Sequence, residues 1–269
     1  MSDRQKDPSN PLFFNPLEPY VGLSISDLNR YLPAIQTVQD LSMAPDKKYE
    51  GLFFGDAVLG LSKLPENSMD LLIADPPKNP WRGPEDKGNK MSLQEYYQWN
   101  SEWLKESWRI LKPTGMCYLI CDWRYSGMYQ SLLNNQFNLQ TRITWRDEKA
   151  PNMGKTGTWR NVISDIWFAT KTDDFMFDKH TVGKGSETER ANLWSDIQSD
   201  ITTAIDGDLP ERILRRILSS SSFKLNWVVD PFARSGSIGV AAKKMGRRYI
   251  GFETNKDQLL MAMKRIDQA

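Results

Sequence analysis

The sequence predicts an α/β fold built on a doubly wound, mostly parallel sheet. Short continuous apolar runs, such as those over 71–74 and 225–230, indicate strands buried on both faces. From residue 50 onward, segments with helical spacing of apolar residues alternate with these runs, as in a parallel sheet covered by helices. With 269 residues and 39% hydrophobic content, the chain is long enough for one such domain with insertions.

The first 48 residues are predicted to form an arm or cap, and one larger domain is expected over 49–269. Prolines are scattered through the first segment, and a short helix is expected only over 26–32. The polar start MSDRQKDPSN has no apolar core of a secretory signal, and no run approaches the roughly 20 apolar residues of a membrane span. The cytoplasm is therefore the expected location.

The first half of the larger domain predicts strand, helix and strand over 51–58, 59–65 and 69–77. An irregular segment rich in glycine and charge follows over 79–90. A helix is then expected to begin at Ser92, because Glu95 three residues later completes a capping box. Residues 112–115 are expected to end this helix and to lead into a strand over 116–121.

The second half predicts a helix over 125–134, strands over 139–145 and 164–171, and a loop over 147–161 between them. Residues 172–207 have weak periodicity. A helix over 208–220 is expected to be N-capped by Asp208, and it precedes a strand over 225–230. A helix over 237–246, a strand over 247–253 and a closing helix over 255–266 complete the pattern.

Composition excludes little about function. The net charge of +1 neither indicates nor excludes a nucleic-acid partner, because local basic patches matter more than the total. Cys117 and Cys121 fall on one face of an apolar strand, where free cysteine packs as a small hydrophobic residue. Together with His180 they are too few for a closed four-ligand zinc site, so no metal is expected.

The candidate functional residues lie at two strand ends. The first is the loop over 230–237, which leaves a buried strand and opens a helix. Small residues let its backbone approach a ligand, and the helix N-terminus offers unpaired N–H groups. Glu253 ends the next strand, at the spacing where an acid meets ribose hydroxyls in dinucleotide-type folds. The order favours a nucleoside cofactor over an ordinary strand-to-helix turn.

The second strand end is Asp75-Pro76-Pro77-Lys78. Two prolines fix the backbone φ and cannot donate, so with Asp75 they form a patch of acceptors only. Such a patch suits a neutral –NH₂ group, whose two N–H donors would bond to the carboxylate and to a carbonyl. The alternative is a turn that only ends a strand.

Together the two strand ends resemble the signature of S-adenosylmethionine-dependent DNA amino-methyltransferases of the β arrangement. In that family a D/N/S-P-P-aromatic motif precedes a target-recognition segment and then a D-P-F-x-G-S-G-T loop. Asp75 and Asp230 occur in this order, and flanking segments such as LKPTGMCYLICDW and LPERILRRIL agree, so the resemblance covers about residues 50–267. It implies a methyltransferase domain over 49–269, with the target-recognition region inside 140–207, and S-adenosylmethionine as cofactor.

The resemblance also implies a reaction and its residues. A base flipped out of double-stranded DNA would be methylated on adenine N6 or cytosine N4. Asp rather than Ser before the prolines leans toward adenine, whereas the DW, ITW and DIWFATK segments also occur in cytosine-N4 members. The residues implied at the target amine are Asp75, Pro76, Pro77 and Lys78. Those implied at the cofactor are Asp56, Asp230, Phe232, Arg234, Ser235, Gly236 and Glu253.

The chain departs from the family pattern at three places. Lys78 replaces the aromatic residue that stacks on the flipped base, and Trp81 is a candidate substitute ring. Arg234 replaces the first glycine of the cofactor loop, where it would either clash with the cofactor or pair with its methionine carboxylate. The H-P-T-x-K-P segment is reduced to GDLPERI. A degenerate methyltransferase that serves as a nucleic-acid-binding or partner subunit is thus the alternative, and methylation of RNA or a small molecule is a third.

DNA contacts are expected in the variable middle of the chain. Its basic residues are interleaved with Trp145 and Trp159 and offset by two acids, Asp147 and Glu148. The alternative is a solvated hairpin loop. The candidate DNA-binding residues are Trp81, Arg124, Arg146, Lys149, Lys155 and Arg160. Family members also form homodimers, which this sequence neither requires nor excludes.

Overall fold

One mixed sheet runs through the computed structural model, which describes residues 22–41, 50–77, 91–149, 159–183, 190–199 and 208–269. Its strands hydrogen-bond in the order β1-β2-β9-β8-β3-β4-β6-β5-β7 within these residues. The strands are β1 (Gln36–Thr37), β2 (Gly51–Phe54), β3 (Met69–Ala74), β4 (Leu111–Cys121), β5 (Asn138–Arg146), β6 (Ile163–Thr170), β7 (Leu193–Trp194), β8 (Trp227–Asp230) and β9 (Arg248–Glu253).

Helices cover both faces of this sheet. They are α1 (Ile25–Tyr31), α2 (Ala57–Ser62), α3 (Leu93–Ile110), α4 (Ser126–Asn134), α5 (Lys179–Gly183), α6 (Glu211–Ser221), α7 (Ser237–Lys244) and α8 (Lys256–Asp267). Helices α2, α3 and α4 bury their apolar faces in one core, and α6, α7 and α8 bury theirs in the other. None of the described helices combines the length and apolarity needed to cross a membrane.

Strand direction confirms the doubly wound, mostly parallel prediction. All neighbours from β1 to β4 are parallel, and only β6 runs antiparallel to the strands beside it, β4 and β5. From β3 the chain passes through α3 to β4, and from β8 it passes through α7 to β9 on the other side. The neighbours β3 and β8 therefore form a topological switch point, where ligands bind outside the carboxyl ends of the strands.

Alternation along the strands separates the two cores. Leu72 of β3 faces the core under α3, and Leu71 faces the core under α6. Cys117 and Cys121 share the α3 face, are buried and form no disulfide, which confirms the prediction that they pack as small hydrophobic residues. Burial raises the pKa of both thiols far above the usual range, so they remain neutral.

Most predicted elements are confirmed, including the capping box of Ser92 and Glu95 at the start of α3. The strand expected from residue 116 begins at Leu111, and residues 112–115 lie at an irregularity in its pairing with β3. The prediction of Asp208 as a helix N-cap is wrong. Helix α6 begins at Glu211 after Pro210, and no side chain caps it. The short elements β1, β7 and α5 were not predicted.

The described part of the N-terminal segment lies against the end of the main domain. Strand β1 extends the sheet beside β2, and α1 packs on α8. Asp27 pairs with Lys264 at 2.8 Å, and Asp267 binds both Arg30 at 2.8 Å and the Tyr31 hydroxyl at 3.0 Å. These contacts fix residues 22–41 on one edge of the sheet.

Candidate functional site

A cleft of about 530 Å³ opens at the carboxyl ends of β3 and β8. This is the switch point of the sheet, and the volume falls within the roughly 300–1,000 Å³ of small-molecule sites. The loops that leave β2, β3, β8 and β9 meet there. The lining residues are Gly55, Asp56, Ala57, Pro77, Met91, Trp99, Pro231, Phe232, Arg234, Phe252, Glu253, Thr254 and Gln258.

Asp230 ends β8 beneath this cleft and is completely buried. Its carboxylate accepts hydrogen bonds from the Phe232 amide and the Tyr249 hydroxyl, both at 3.0 Å. Burial raises the pKa of Asp230 to about 7 and outweighs these two hydrogen bonds, which lower the pKa; the carboxylates of Asp75 and Glu253 add to the increase. Asp230 therefore supports the loop from below and does not line the cleft itself.

The loop after Asp230 turns through two left-handed residues. Arg234 has φ of 48° and Gly236 has φ of 82°. The Arg234 amide donates to Oε2 of Glu253 at 2.7 Å, and the Ala233 amide donates to the Phe252 carbonyl at 2.9 Å. The loop is thereby fastened to the end of β9, and the Arg234 side chain is directed into the cleft.

Behind the loop, Ser235 is buried and its hydroxyl donates to the Asp208 carboxylate. Arg265 of α8 binds both partners, with 2.8 Å to the Ser235 carbonyl and 2.8 Å to Asp208. This is why Asp208 caps no helix: long-range partners hold it against the cofactor loop. Ser235 and Gly236, both predicted as cofactor residues, lie behind the loop on the α8 side and are not among the residues that line the cleft.

Two acidic residues, Asp56 and Glu253, line the cleft. Glu253 accepts from the Asn255 amide through Oε1 at 2.7 Å and from the Arg234 amide through Oε2. Each carboxylate oxygen has a second lone pair, so the side chain retains acceptors for ribose hydroxyls. Asp56 is exposed and caps α2, accepting from the Leu59 amide at 3.1 Å. Both sequence-predicted acids are thus brought to one cleft.

The Asp-Pro-Pro segment lies on the other wall, and it is joined to the cofactor loop. Oδ2 of Asp75 lies 3.1 Å from Nη1 of Arg234, although the two residues are 159 positions apart. Asp75 is 7% exposed, so its carboxylate is largely withdrawn from water. The Pro77 carbonyl accepts from the Tyr96 hydroxyl at 2.9 Å. Lys78 and Trp81 lie outside the described residues.

An aromatic wall from α3 completes the cleft. The ring of Phe232 lies 5.4 Å from that of Trp99 and 5.2 Å, edge-on, from that of Trp103. Trp99 also stacks beside Tyr96 with 6.0 Å between ring centroids. The sequence did not single out these rings of α3 as site residues. Their recurrence along one helical stripe was the available signal, but it did not show which strand end they face.

Below the wall, a buried hydrogen-bond network supports Tyr96. Its hydroxyl lies 3.0 Å from that of Tyr129, which lies 2.9 Å from Oδ1 of Asn100. The Trp103 indole donates to the same Asn100 oxygen at 2.9 Å. An amide oxygen has two lone pairs, so Oδ1 of Asn100 accepts from both the Tyr129 hydroxyl and the Trp103 indole, while Tyr96 donates to the Pro77 carbonyl. Burial and the neighbouring Tyr96 hydroxyl raise the pKa of Tyr129 well above its usual value.

The predicted DNA-binding side chains are held by local partners. Arg124 forms a two-point pair with Asp122, at 2.9 and 2.5 Å. Arg146 pairs with Glu148 at 2.6 Å, and Arg160 donates to the Glu148 carbonyl at 2.7 Å. The two contacts of Glu148 connect the end of β5 with the segment before β6.

The two tryptophans of this region differ. Trp159 is 97% exposed, whereas Trp145 is buried and donates to the Ile197 carbonyl at 2.9 Å. Trp145 is therefore a core residue, and it was not among the candidate DNA-binding residues. Lys149 is exposed, and Lys155 falls outside the part of the chain that the structure describes.

Comparison with known protein families identifies the family of the chain. A model of a DNA methylase family, the N6/N4 methyltransferases, matches residues 69–264. The chain belongs to this family. Its members are DNA methyltransferases that use S-adenosylmethionine as methyl donor. The matched segment includes both the Asp-Pro-Pro segment and the loop after Asp230.

Individual relatives cover most of the chain. The Type II methyltransferase M.HpaI of Haemophilus parainfluenzae is 27% identical over 233 residues, which are 80% of this chain and 74% of that protein. M2.DpnII of Streptococcus pneumoniae is 29% identical over 248 residues, 80% and 89% of the two chains. The DNA adenine methyltransferase YhdJ of Escherichia coli is 26% identical over 243 residues, 81% and 83%.

Solved structures share the fold. The cytosine-N4-specific PvuII DNA methyltransferase has a TM-score of 0.66 and 18% identity, covering 81% of this methylase and 87% of that chain. A DNA modification methylase of Thermus thermophilus, complexed with S-adenosyl-L-methionine, has a TM-score of 0.64 and 20% identity, covering 82% and 94%. At these sequence identities the similarity shows a shared fold.

The residues present fit S-adenosylmethionine. Phe232 and Trp99 offer aromatic faces for a purine, and Glu253 offers acceptors for ribose hydroxyls. The cofactor carries two positive groups, the sulfonium and the ammonium, and one carboxylate. The carboxylates of Asp56, Asp75 and Glu253 together with the guanidinium of Arg234 complement that charge pattern. No cluster of metal-ligating side chains occurs among the described residues.

Proposed function

We propose that this methylase modifies the exocyclic amino group of adenine or cytosine in a base turned out of the DNA duplex into the crevice between β3 and β8. The single observation that carries the proposal is the junction of Asp75 with the cofactor loop, 3.1 Å from Arg234. It brings the acceptor patch for an amine to the edge of a cleft that fits the methyl donor. Extruding a base costs a few kcal/mol, which contacts to the flipped base must offset.

The role of the Asp-Pro-Pro segment follows from its acceptors. Bound S-adenosylmethionine supplies an electrophilic methyl group on a sulfonium. Asp75 and the Pro76 carbonyl would accept the two N–H groups of the target amine, which leaves the nitrogen lone pair directed toward that methyl group. The prolines hold this geometry because their φ angles are fixed, and alignment of this kind supplies most of the rate enhancement.

The cofactor roles are assigned by position in the cleft. Glu253 would bind the ribose, and Asp56 would accept from the adenine amino group. Phe232 would stack on the adenine with support from Trp99. The backbone around Ser235 and Gly236 would border the methionine end. The base acted on stays open between adenine and cytosine, since relatives named for each are similar to this chain.

DNA contacts are proposed for the target-recognition region within 140–207. Arg146, Lys149, Lys155 and Arg160 would contact phosphates, with Arg124 beside the crevice. Lys78 and Trp81 would lie against the flipped base. Residues 1–48 would serve as an arm or cap of the domain over 49–269. A cytoplasmic location and a homodimer or partner subunit remain part of the same proposal, supported by the DNA substrate and by family precedent.

The experiment is methyl transfer from isotope-labelled S-adenosylmethionine to unmethylated genomic DNA, followed by nucleoside analysis. We expect N6-methyladenine or N4-methylcytosine, and restriction-protection or modification-aware sequencing then gives the site. Asp75→Ala should abolish transfer, whereas Asp173→Ala, in an exposed turn, should not. Transfer to RNA alone, or to no nucleic acid despite cofactor binding, would refute the proposal and favour the degenerate-subunit alternative.

A further inference from the structure

Arg234 is the one cationic side chain among the described residues that line the cleft. The charged residues around it are acids, with Asp56 and Glu253 in the lining and Asp75 at its edge. The methyl donor of this family has a single anionic group, the carboxylate of its methionine. A cleft dominated by acids repels that group, so among the described lining residues the Arg234 guanidinium is the natural partner.

The position of Arg234 allows it to reach two groups. Nη1 lies 3.1 Å from Oδ2 of Asp75, and the side chain is 37% exposed to the cleft. A guanidinium has five N–H donors in a planar fork, which is enough for two carboxylates. The methyl group must lie near the amine at Asp75, so the methionine arm of the donor must pass close to the same guanidinium.

The backbone gives a second, independent observation. Arg234 adopts a left-handed φ of 48°, a conformation that glycine adopts without strain and that other residues disfavour. Glu253 holds it there by accepting the Arg234 amide at 2.7 Å. The loop therefore holds the Arg234 backbone in a strained conformation while its guanidinium reaches Asp75 across the cleft, which is consistent with a role for the side chain there.

We propose that Arg234 holds two carboxylates at once, that of Asp75 and that of the cofactor's methionine, and so couples cofactor binding to presentation of the target amine. The inference rests on the proposed placement of the cofactor in this cleft. Coupling of this kind is reciprocal: a charge change at Asp75 alters recognition of the cofactor carboxylate through Arg234.

The first test is calorimetric binding of three ligands to the purified chain. They are S-adenosylmethionine, its decarboxylated form, and 5′-methylthioadenosine, which lacks the amino-acid arm. A charge-assisted hydrogen bond corresponds to about 10- to 100-fold in affinity, so the wild type should prefer the intact cofactor over the decarboxylated form by that factor. In Arg234→Gln the preference should fall to about one or below, and in Arg234→Lys it should be partly retained.

Two controls keep the result specific. Affinity for 5′-methylthioadenosine should be the same in all variants, because the contacts proposed for the nucleoside are made by Asp56, Phe232 and Glu253 and not by the Arg234 side chain. Arg212→Gln removes an arginine that is 61% exposed on α6 and pairs with Asp196, and it should leave every affinity unchanged. Arg234→Gly, which restores the residue typical of the family, relieves the backbone and should still lose the carboxylate preference.

The second test is a double-mutant cycle with Asp75→Asn. This change removes the negative charge that pairs with the guanidinium in the free protein. The preference for S-adenosylmethionine over its decarboxylated form should therefore rise when Arg234 is present and should not change in the Arg234→Gln background. Any weakened attraction for the sulfonium affects both adenosyl ligands alike and cancels in the ratio.

Four outcomes would overturn the inference. Equal binding of the intact and decarboxylated ligands by the wild type refutes it, and so does a preference that survives Arg234→Gln; in both cases binding of 5′-methylthioadenosine leaves the proposed function standing. An effect of Asp75→Asn that is independent of Arg234 refutes the coupling. If none of the three ligands binds, the cofactor site fails and the inference fails with it.

Discussion

The hydroxyl of Tyr96 donates a hydrogen bond to the carbonyl of Pro77 at 2.9 Å. The prolines at 76 and 77 have fixed φ angles, so the main remaining freedom of the segment is rotation about ψ. The bond to Tyr96 restrains that rotation at Pro77. Tyr96 is itself 1% exposed and its hydroxyl contacts that of Tyr129, so its position is fixed and it restrains the catalytic segment.

Tyr96→Phe is expected to lower kcat by about 5- to 10-fold, because a neutral hydrogen bond of about 1–1.5 kcal/mol is lost at the target segment. The Kd for S-adenosylmethionine should change by less than about twofold. Steady-state kinetics and calorimetry measure the two quantities. Tyr97→Phe, one residue along and 38% exposed, is the matched control and should change neither. A lowered Tm with an unchanged kcat would show that Tyr96 only packs.

Gly236→Ala is expected to destabilise the fold by about 2–5 kcal/mol, from left-handed backbone strain together with overpacking. A Cβ at 236 would lie 2.8 Å from the Ala262 Cβ and 3.0 Å from its Cα. Gly246→Ala is the control, since its φ is also positive but the nearest atom is 3.7 Å away. It should cost only the strain, about 1–2 kcal/mol. Urea unfolding gives both values, and equal losses would contradict the steric part.

Asp230→Asn is expected to flatten the pH dependence of stability. The pKa of Asp230 is raised from 3.8 to about 7 by burial, so between these values the folded chain holds a proton that the unfolded chain has released. This stabilisation is complete below about pH 4 and is lost as the pH rises through about 7, by up to about 1.4 kcal/mol per pH unit. Unfolding free energies across this range measure it. Parallel curves for the two proteins would contradict it.

Trp159→Ala is expected to weaken DNA binding by about fivefold or more while leaving stability within about 0.5 kcal/mol. The ring is 97% exposed, so it makes almost no packing contact that truncation could remove. Fluorescence anisotropy with a DNA duplex measures the affinity. Trp108→Ala, at the far end of α3 and 39% exposed, should not affect it. Equal affinity in wild type and Trp159→Ala would place the DNA elsewhere.

Lys78→Tyr is expected to raise turnover, because it restores the ring that stacks on the flipped base in the family. Base stacking corresponds to about 1–3 kcal/mol, so a gain of about fivefold or more is expected in kcat/KM. Lys78→Met, of similar length without charge or ring, separates stacking from loss of the cation. A gain with Met as large as with Tyr would assign the effect to charge.

Sequence reasoning could predict the parts of the molecule that local pattern determines. Buried runs such as 71–74 and the capping box of Ser92 and Glu95 are local, and both were confirmed. Because β3 and β8 are adjacent in the sheet, the two strand ends that were singled out separately fall at one crevice. The alternation of strands and helices was sufficient to predict the doubly wound class.

The rest depends on contacts between residues far apart in the chain. Nothing near Asp208 indicates that Ser235 and Arg265 will bind it in preference to the helix N-cap. The ion pair of Asp75 with Arg234 and the aromatic wall of α3 likewise need the assembled fold. Strands β1 and β7 have two residues each, too short for any periodicity to show.

The packing of α8 against the cofactor loop has a consequence for biosynthesis. Ala262 and Ile266 close around Gly236, and Arg265 binds the Ser235 carbonyl. The loop therefore cannot reach its final shape until the ribosome has extruded the chain through Ile266, long after Asp75 has emerged. The segment with Asp75 is therefore synthesised well before the helix that shapes the cofactor loop, and the two halves of the site meet only after α8 has packed.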